Sequence, residues 1–181
     1  MLQFVENKEL SESIVSMIKN AHSVVTFRTP RDAILYVNNR MSFLLSVESV
    51  SLNLGEEFST TDDYLYRSDE YKKYLLLIAE NVEKGLIWRD IGDKYASKKF
   101  HITREHISTK NIKGSFQTRM IPISAPQITF LILGYRDGTK EALFNWDYLS
   151  PGAEPCVLLS RDSNIIQMFS YQFANLWRIS S

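Results

Sequence analysis

One segment constrains the fold more than any other: an amphipathic helix that ends at a glycine and is followed directly by an apolar strand. From Ser68 to Lys84 apolar side chains recur at helical spacing, namely Tyr71, Tyr74, Leu75, Leu77, Ile78 and Val82. Gly85 is placed to end this helix, and residues 86–91 have the composition of a strand. This order is typical of a βαβ unit, so the sequence predicts an α/β fold.

The first half of the chain supplies further elements around this unit. A helix is predicted over residues 7–20, a strand over residues 22–28 and a second helix over residues 31–41. No element is predicted over residues 43–54, where mostly apolar residues and serines follow neither the helical nor the strand period. Residues 93–113 are basic and poorly periodic, so no element is predicted there either.

The clearest hairpin of the chain lies in its second half. Residues 128–135 are continuously apolar, Asp137 and Gly138 supply a turn, and residues 141–146 return as the partner strand.

A short strand over residues 157–160 leads into a last helix, which Asp162 or Ser163 caps. The apolar residues of this helix repeat at helical spacing: Ile165, Ile166, Phe169, Phe173, Leu176 and Trp177. Its many aromatic residues predict that it packs on the sheet and also covers a dimer partner. No repeat or linker is visible, so residues 1–181 are expected to form one domain.

Total charge and cysteine usage restrict the partners. The chain has 21 basic and 21 acidic residues, so it exerts no net attraction on nucleic acid or on an anionic membrane. Its single cysteine, Cys156, cannot form an internal disulfide and begins an apolar run typical of a buried strand. The N-terminus lacks the pattern of a secretory signal, and no apolar stretch approaches the ~18 residues that span a bilayer. We therefore expect a cytoplasmic protein with no membrane partner.

The charges are unevenly distributed along the chain. Residues 84–119 carry 9 basic and 3 acidic side chains, whereas residues 1–83 carry 8 basic and 13 acidic ones. This basic segment fits an anion-binding surface, for a phosphate-bearing ligand or for nucleic acid. It also fits a solvated loop that pairs with the acidic first half, which is the more common reason for a run of charge.

Motifs for catalysis and for cofactors are missing. Lys113, Gly114 and Ser115 lack the extended glycine pattern of a phosphate-binding loop, and there is no nucleophile elbow. His101 and His106 are five residues apart, off the spacing that places two ligands on one helical face, and no cysteine or paired acid joins them. No metal, cofactor or catalytic residue is predicted.

Taken in order, these elements resemble the phospholipase D-like superfamily, in the non-catalytic form found as a sensor or effector domain in TrmB-like prokaryotic transcription regulators. The resemblance depends on the opening helix and strand, the segment 71–91, the hairpin at Asp137 and Gly138, and the closing strand 158–162 with the helix containing Phe169, Phe173, Leu176 and Trp177. It implies an α/β fold with a mixed sheet flanked by helices.

The resemblance also implies a function. Active members carry the motif His-x-Lys-x4-Asp, whereas the matching strand here, residues 126–133, contains neither histidine nor lysine. His106 and Lys110 are too far apart to replace the motif. Phosphodiesterase activity is therefore not expected. The ancestral cleft bound phosphate and was shared between two units, so a chain of this length is expected to form a homodimer.

Three functional hypotheses remain open. The first is a ligand-sensing or regulatory domain that binds a small anionic ligand through Arg89, Lys98, Lys99, Arg104 and Arg119. The second is a divergent nuclease or phosphodiesterase that uses His101 or His106. The third is a protein-interaction module whose aromatic last helix docks on a partner. An apolar surface patch around Phe169, Phe173 and Trp177 would distinguish this hypothesis. Nucleic acid is expected to be contacted only indirectly or through the basic segment 84–119.

Overall fold

The structure is a computed structural model that describes residues 24–52, 68–94, 96–107, 112–121, 129–144 and 157–181. The helix predicted over residues 7–20 and the buried strand position predicted for Cys156 lie outside this part of the chain. No helix within the described ranges is long and apolar enough to cross a membrane.

The described residues form seven strands and four α-helices. The strands are β1 (Val24–Phe27), β2 (Leu44–Ser51), β3 (Ile87–Gly92), β4 (Ser115–Met120), β5 (Phe130–Tyr135), β6 (Lys140–Phe144) and β7 (Val157–Ser160). The α-helices are α1 (Pro30–Asn38), α2 (Asp69–Glu83), α3 (Ser97–His106) and α4 (Ser163–Ile179), and a 3-10 turn covers Met41–Phe43.

The strands form one mixed sheet in the order β1-β7-β6-β5-β2-β3-β4. β2, β3 and β4 are parallel, and the other neighbouring strands are antiparallel. Val47 of β2 lies between Trp88 of β3 and Leu133 of β5, which sets the register of the centre. Because α2 connects the parallel strands β2 and β3, the predicted βαβ unit is confirmed.

Helices cover both faces of the sheet. On one face α1 and α2 bury Val37 and Ile78 against Trp88. On the other face α4 buries Phe169 and Phe173. α3 packs beside α2, with the ring of Phe100 6.5 Å from that of Phe116 in β4. The core therefore lies in two layers, one on each face of the sheet.

Local sequence explains where the helices begin and end. Thr29 caps α1 in a capping box with Asp32, and the side chain of Ser68 accepts a bond from the third residue of α2. Gly85 follows α2 with φ 114°, a left-handed conformation that favours glycine, so its predicted role in ending the helix is confirmed.

Two segments differ from the sequence prediction. Residues 43–54, where no element was predicted, contain β2. This strand lies in the middle of the sheet and buries residues on both faces, so it lacks the alternation that marks a half-buried strand. The poorly periodic region 93–113 contains α3. Only Phe100 and Thr103 of that helix are buried, too few to produce a helical pattern of apolar residues.

Candidate functional site

Two of the predicted anion-binding residues, Arg89 and Arg119, lie beneath the C-terminal end of α4. Arg89 forms an ion pair with Glu48 of β2, and its guanidinium carbon is 5.6 Å from the centre of a Trp177 ring. The guanidinium carbon of Arg119 is 4.6 Å from the centre of a Trp177 ring. Arg119 also donates hydrogen bonds to the carbonyl oxygens of Trp177 and Ser180. Both arginines are therefore engaged within the molecule.

Lys99 lies on the opposite face of the sheet. Its partner Asp90 follows Arg89 in β3, and consecutive side chains of a strand point to opposite faces. Lys99 Nζ is 2.7 Å from Asp90 Oδ2 and 2.7 Å from the hydroxyl oxygen of Ser51. The Asp90 side chain is fully buried and that of Lys99 is 11% exposed. The ammonium group is thus an internal counter-ion with little access to solvent.

The remaining two residues, Lys98 and Arg104, are exposed on α3. Arg104 donates a hydrogen bond to the hydroxyl of Thr118 in β4. The five predicted residues are consequently divided by the sheet, with Arg89 and Arg119 on the α4 side and the others on the α3 side. The structure does not bring them together in one cleft, and anion binding by them stays a prediction.

Both histidines of the enzymatic hypothesis lie exposed on α3. His101 Nε2 is 3.1 Å from a carboxylate oxygen of Glu105, one turn along the helix. His106 Nδ1 is 2.7 Å from the carbonyl oxygen of Ile102. These contacts are all made within one helix. Among the described residues, no group of three or more His, Cys, Asp or Glu side chains could hold a metal ion.

A buried carboxylate at the other end of the sheet gathers polar groups from several elements. Glu141 Oε2, on β6, accepts hydrogen bonds from the hydroxyls of Tyr36 at 2.7 Å and Tyr135 at 2.5 Å. Its Oε1 accepts a bond from Nε of Arg161 at 2.7 Å. Arg161 directly precedes Asp162, the N-cap of α4. The network therefore connects α1, β5 and β6 to the start of α4.

Burial and these hydrogen bonds alter the acidities within the network. Burial, followed by the hydrogen bond to Glu141, raises the pKa of both Tyr36 and Tyr135. Burial by itself would raise the pKa of Glu141, but the hydrogen bonds from Tyr135, Tyr36 and Arg161 outweigh it and hold that pKa below its usual value. Glu141 is therefore ionised, and Arg161 balances its charge.

Beside this network lies an open groove of about 540 Å³, lined by Asn39, Arg40, Phe43, Tyr135, Arg136 and Asp137. The guanidinium carbon of Arg40 is 3.5 Å from the centre of the Tyr36 ring. Within the described residues neither Arg40 nor Arg136 has a carboxylate or hydrogen-bond partner for its side chain. Asp137, in contrast, uses Oδ1 to accept bonds from the backbone N–H and hydroxyl of Thr139. The groove thus presents two guanidinium groups, neither of which forms an ion pair with a carboxylate of the described residues.

Sequence reasoning missed this groove because its residues are far apart in the chain. Arg40 follows α1, Arg136 lies in the predicted hairpin turn, and both are outside the basic segment 84–119. The antiparallel pairing of Leu44 with Tyr135 brings the start of β2 to the turn between β5 and β6. The sequence does show Arg136 beside the turn residue Asp137. It does not indicate which residues surround Arg136 in the folded chain.

Two of the four aromatic residues of α4, Phe169 and Phe173, point into the core. Phe169 and Phe173 are each 1% exposed, and the Phe169 ring lies 4.7 Å from that of Phe130. The two phenylalanines therefore do not contribute to a surface patch with Trp177, the feature that would distinguish the protein-interaction hypothesis. Phe169 and Phe173 are four residues apart, so both lie on the face of α4 that packs against the sheet, and their side chains are buried in the core. The large apolar residues that α4 does expose are Met168, Tyr171 and Ile179.

Several solved structures have a similar fold at low sequence identity. TrmBL2, an archaeal chromatin protein with a novel mode of DNA binding, aligns with a TM-score of 0.52 and 12% identity over 99% of this chain and 63% of that chain. Polyphosphate kinase from Porphyromonas gingivalis aligns with a TM-score of 0.50 and 9% identity over 84% of this chain and 25% of that chain. A phospholipase D family member, Nuc from Salmonella typhimurium, aligns with a TM-score of 0.49 and 10% identity over 88% of this chain and 96% of that chain.

The predicted α/β fold, a mixed sheet flanked by helices, is confirmed, and the chain shares this fold with TrmBL2. The chain spans 63% of the TrmBL2 chain and 25% of the polyphosphate kinase chain, so the likeness concerns one part of each protein. At these identities the likeness is one of fold alone. No protein-family model and no curated protein matches the sequence.

Proposed function

We propose that this chain is a non-catalytic regulatory domain that binds a small anionic ligand and acts as a homodimer. The observation that carries the proposal is the groove, where Arg40 and Arg136 have no carboxylate partner among the described residues. Arginine binds carboxylate and phosphate groups through paired hydrogen bonds and keeps its charge at neutral pH. A volume of about 540 Å³ lies in the range of small-molecule sites.

The hairpin strand favours binding over phosphodiester cleavage. Counting back from Asp137 by the spacing of His-x-Lys-x4-Asp puts Phe130 at the histidine position and Ile132 at the lysine position. Phe130 is 0% exposed and Ile132 is 2% exposed, both in the core beneath α4. Neither side chain can attack phosphorus or stabilise a developing negative charge. The proposed function therefore contains no catalytic step.

The regulatory part of the proposal depends on the position of the groove. Tyr135 lines the groove and donates to Glu141, which also binds Arg161 at the start of α4. Arg40 lines the groove too and stacks on Tyr36, the other phenol of this network. A ligand that contacts Tyr135 or Arg40 therefore acts on the groups that join α1, β5, β6 and α4.

Anion titrations test the proposal. Inorganic phosphate, pyrophosphate and citrate are titrated into the protein by calorimetry at low ionic strength. We expect saturable binding of at least one of them, and about ten-fold weaker binding by Arg40→Ala/Arg136→Ala, because two charge-assisted contacts are lost. Lys73→Ala removes an exposed cation of α2, outside every proposed binding surface, and is the matched control. No saturable binding by the wild type, or equal affinity in the double variant, contradicts an anion site in the groove.

The proposed homodimer is supported by the outer side of α4. Met168, Tyr171 and Ile179 are exposed there at 54%, 72% and 66%, and tyrosine and methionine are enriched in protein interfaces. Native mass spectrometry reports the oligomeric state and any retained small molecule together. A dimer that dissociates in Tyr171→Glu but not in the control Lys73→Glu, an exposed site on α2, supports the proposal. A wild-type monomer at micromolar concentration overturns it.

Nucleic acid is a second proposed partner, through the basic segment 84–119. Lys98 and Arg104 are the exposed residues of the predicted set. If they contact phosphates, Lys98→Glu/Arg104→Glu weakens DNA binding in a mobility-shift assay and reduces its dependence on salt. Binding that the double charge reversal leaves unchanged would remove this segment from the proposal.

A further inference from the structure

We propose that the groove is a nucleoside-phosphate site, in which Arg40 and Arg136 bind the phosphate and the base stacks on Phe43. This inference rests on the proposed anion site and names its class of ligand. Phe43 lines the same groove as the two arginines, and it is 62% exposed although its side chain is large and apolar. An exposed aromatic ring in a concave, positively charged site points to a ligand with both a flat ring and an anionic group.

The backbone holds Phe43 next to both arginines. Its N–H donates to the carbonyl oxygen of Arg40 at 2.9 Å, and its carbonyl oxygen accepts a bond from the N–H of Arg136 at 3.0 Å. Met41, at the start of the same 3-10 turn, is 1% exposed and anchors the turn in the core. The ring is therefore presented from a fixed backbone, which lowers the entropy cost of binding.

The combination of side chains selects the ligand class. Arginine pairs recognise phosphate, and aromatic side chains stack with the face of any base. A free phosphate would use the arginines and leave Phe43 exposed, whereas an uncharged aromatic molecule would leave both guanidinium groups unpaired. A nucleoside phosphate satisfies both parts at once. Its source is either a free nucleotide or the end of a single strand, which share this chemistry.

Calorimetric titrations with AMP, adenosine and inorganic phosphate test this inference. We expect AMP to bind about ten-fold more tightly than either phosphate or adenosine, because only AMP uses both parts of the groove. Phe43→Leu keeps an apolar side chain on the turn. It should weaken AMP binding about ten-fold and leave phosphate binding unchanged. Arg40→Ala/Arg136→Ala should weaken both, and Leu76→Ala, an exposed apolar site on α2, should weaken neither.

The outcomes separate this inference from the proposed function. If phosphate binds through the arginines but AMP binds no better, or Phe43→Leu has no effect on AMP, the nucleoside part is overturned and the anion site stands. If an aromatic carboxylate such as salicylate binds more tightly than AMP, the ligand class is also overturned. If no anion binds, both fail. Tighter binding of a 5′-phosphorylated oligo(dA) than of AMP supports a strand end as the ligand, and weaker binding supports a free nucleotide.

Discussion

The Nζ atom of Lys99 in α3 lies 2.7 Å from Oδ2 of Asp90 in β3, and the carboxylate of Asp90 is completely buried. The same ammonium group binds the hydroxyl of Ser51 in β2, and the indole N–H of Trp88 donates to Asp90 Oδ2 at 3.4 Å. Asp90 Oδ1 has no hydrogen-bond partner among the described residues. Lys99 thus connects α3 to both β2 and β3.

Removing either partner of this pair is expected to be strongly destabilising. Lys99→Met leaves a buried carboxylate without its cation, which costs about 3–5 kcal/mol of unfolding free energy. Asp90→Asn/Lys99→Met should be more stable than the sum of the two single changes indicates, because no uncompensated charge remains. Urea unfolding of the wild type, both single variants and the double variant measures this coupling. Strictly additive effects would show that the two groups do not interact.

Glu141→Gln is expected to lower the unfolding free energy by about 2 kcal/mol at pH 7. The neutral amide loses charge-assisted hydrogen bonds with Tyr36, Tyr135 and Arg161. Urea unfolding measures the loss. Glu80→Gln changes an exposed glutamate of α2 and is the control. An equal effect of the two substitutions would contradict the stabilising role of the network.

The difference in unfolding free energy between the wild type and Glu141→Gln is expected to depend on pH. The folded pKa of Glu141 is lowered, so its stabilising contribution is complete above its unfolded pKa of about 4.3 and is lost as the pH falls through the folded value. The stability gap between the wild type and Glu141→Gln should therefore be constant near neutrality and shrink with acidification below about pH 4. Unfolding series from pH 7 to pH 3 measure the gap. A difference that grows as the pH falls would contradict a lowered pKa of Glu141 in the folded protein.

Asp137→Asn is expected to strengthen anion binding in the groove. The carboxylate of Asp137 lines the groove, and hydrogen bonds from Thr139 keep its pKa low, so it carries a negative charge near any bound anion. Asparagine retains the side-chain carbonyl that the turn uses and is well tolerated in turns. We expect phosphate affinity to rise a few-fold at low salt, with a smaller gain at high salt. Unchanged or weaker binding would indicate that the anion binds elsewhere.

Gly92→Ala is expected to displace α3. A Cβ atom at Gly92 would lie 2.4 Å from the Cβ of Ala96 and 2.6 Å from the ring of Phe100. Overpacking of this kind costs roughly 1–3 kcal/mol. Hydrogen exchange should become faster along residues 97–106. Gly85→Ala is the comparison, because an added Cβ there meets nothing within 4 Å and its cost comes from the left-handed backbone. Identical exchange in α3 in both variants would argue against close packing at Gly92.

Much of the fold could be predicted because its signals are local. The face of α2, its end at Gly85, the hairpin turn at Asp137 and Gly138, and the cap of α4 at Asp162 each depend on a few consecutive residues. β2 and α3 were missed for opposite reasons. Val47 and Val50 of β2 are buried on opposite faces, so the strand has no polar side, whereas α3 buries too few residues to have a clear apolar one.

The candidate site was less predictable because charge density in the sequence does not indicate which charges remain unpaired. Arg89 pairs with Glu48, which is 41 residues away in the sequence. Arg119 donates a hydrogen bond to the carbonyl oxygen of Trp177, near the end of α4 and 58 residues away. Arg40 and Arg136 come from segments without any excess of positive charge. They remain without an acidic partner because the residues that fold around them provide none within the described structure.

Three of the four α-helices described, most of the strands and the absence of the catalytic motif could be predicted from the sequence, since periodicity, caps, turns and residue identity are local properties of the chain. The tertiary structure alone decided which cations are internal counter-ions and which face a groove. That difference depends on long-range pairing, above all β2 with β5 and α3 with β3, because the energy of a charge is set by the groups that surround it in space.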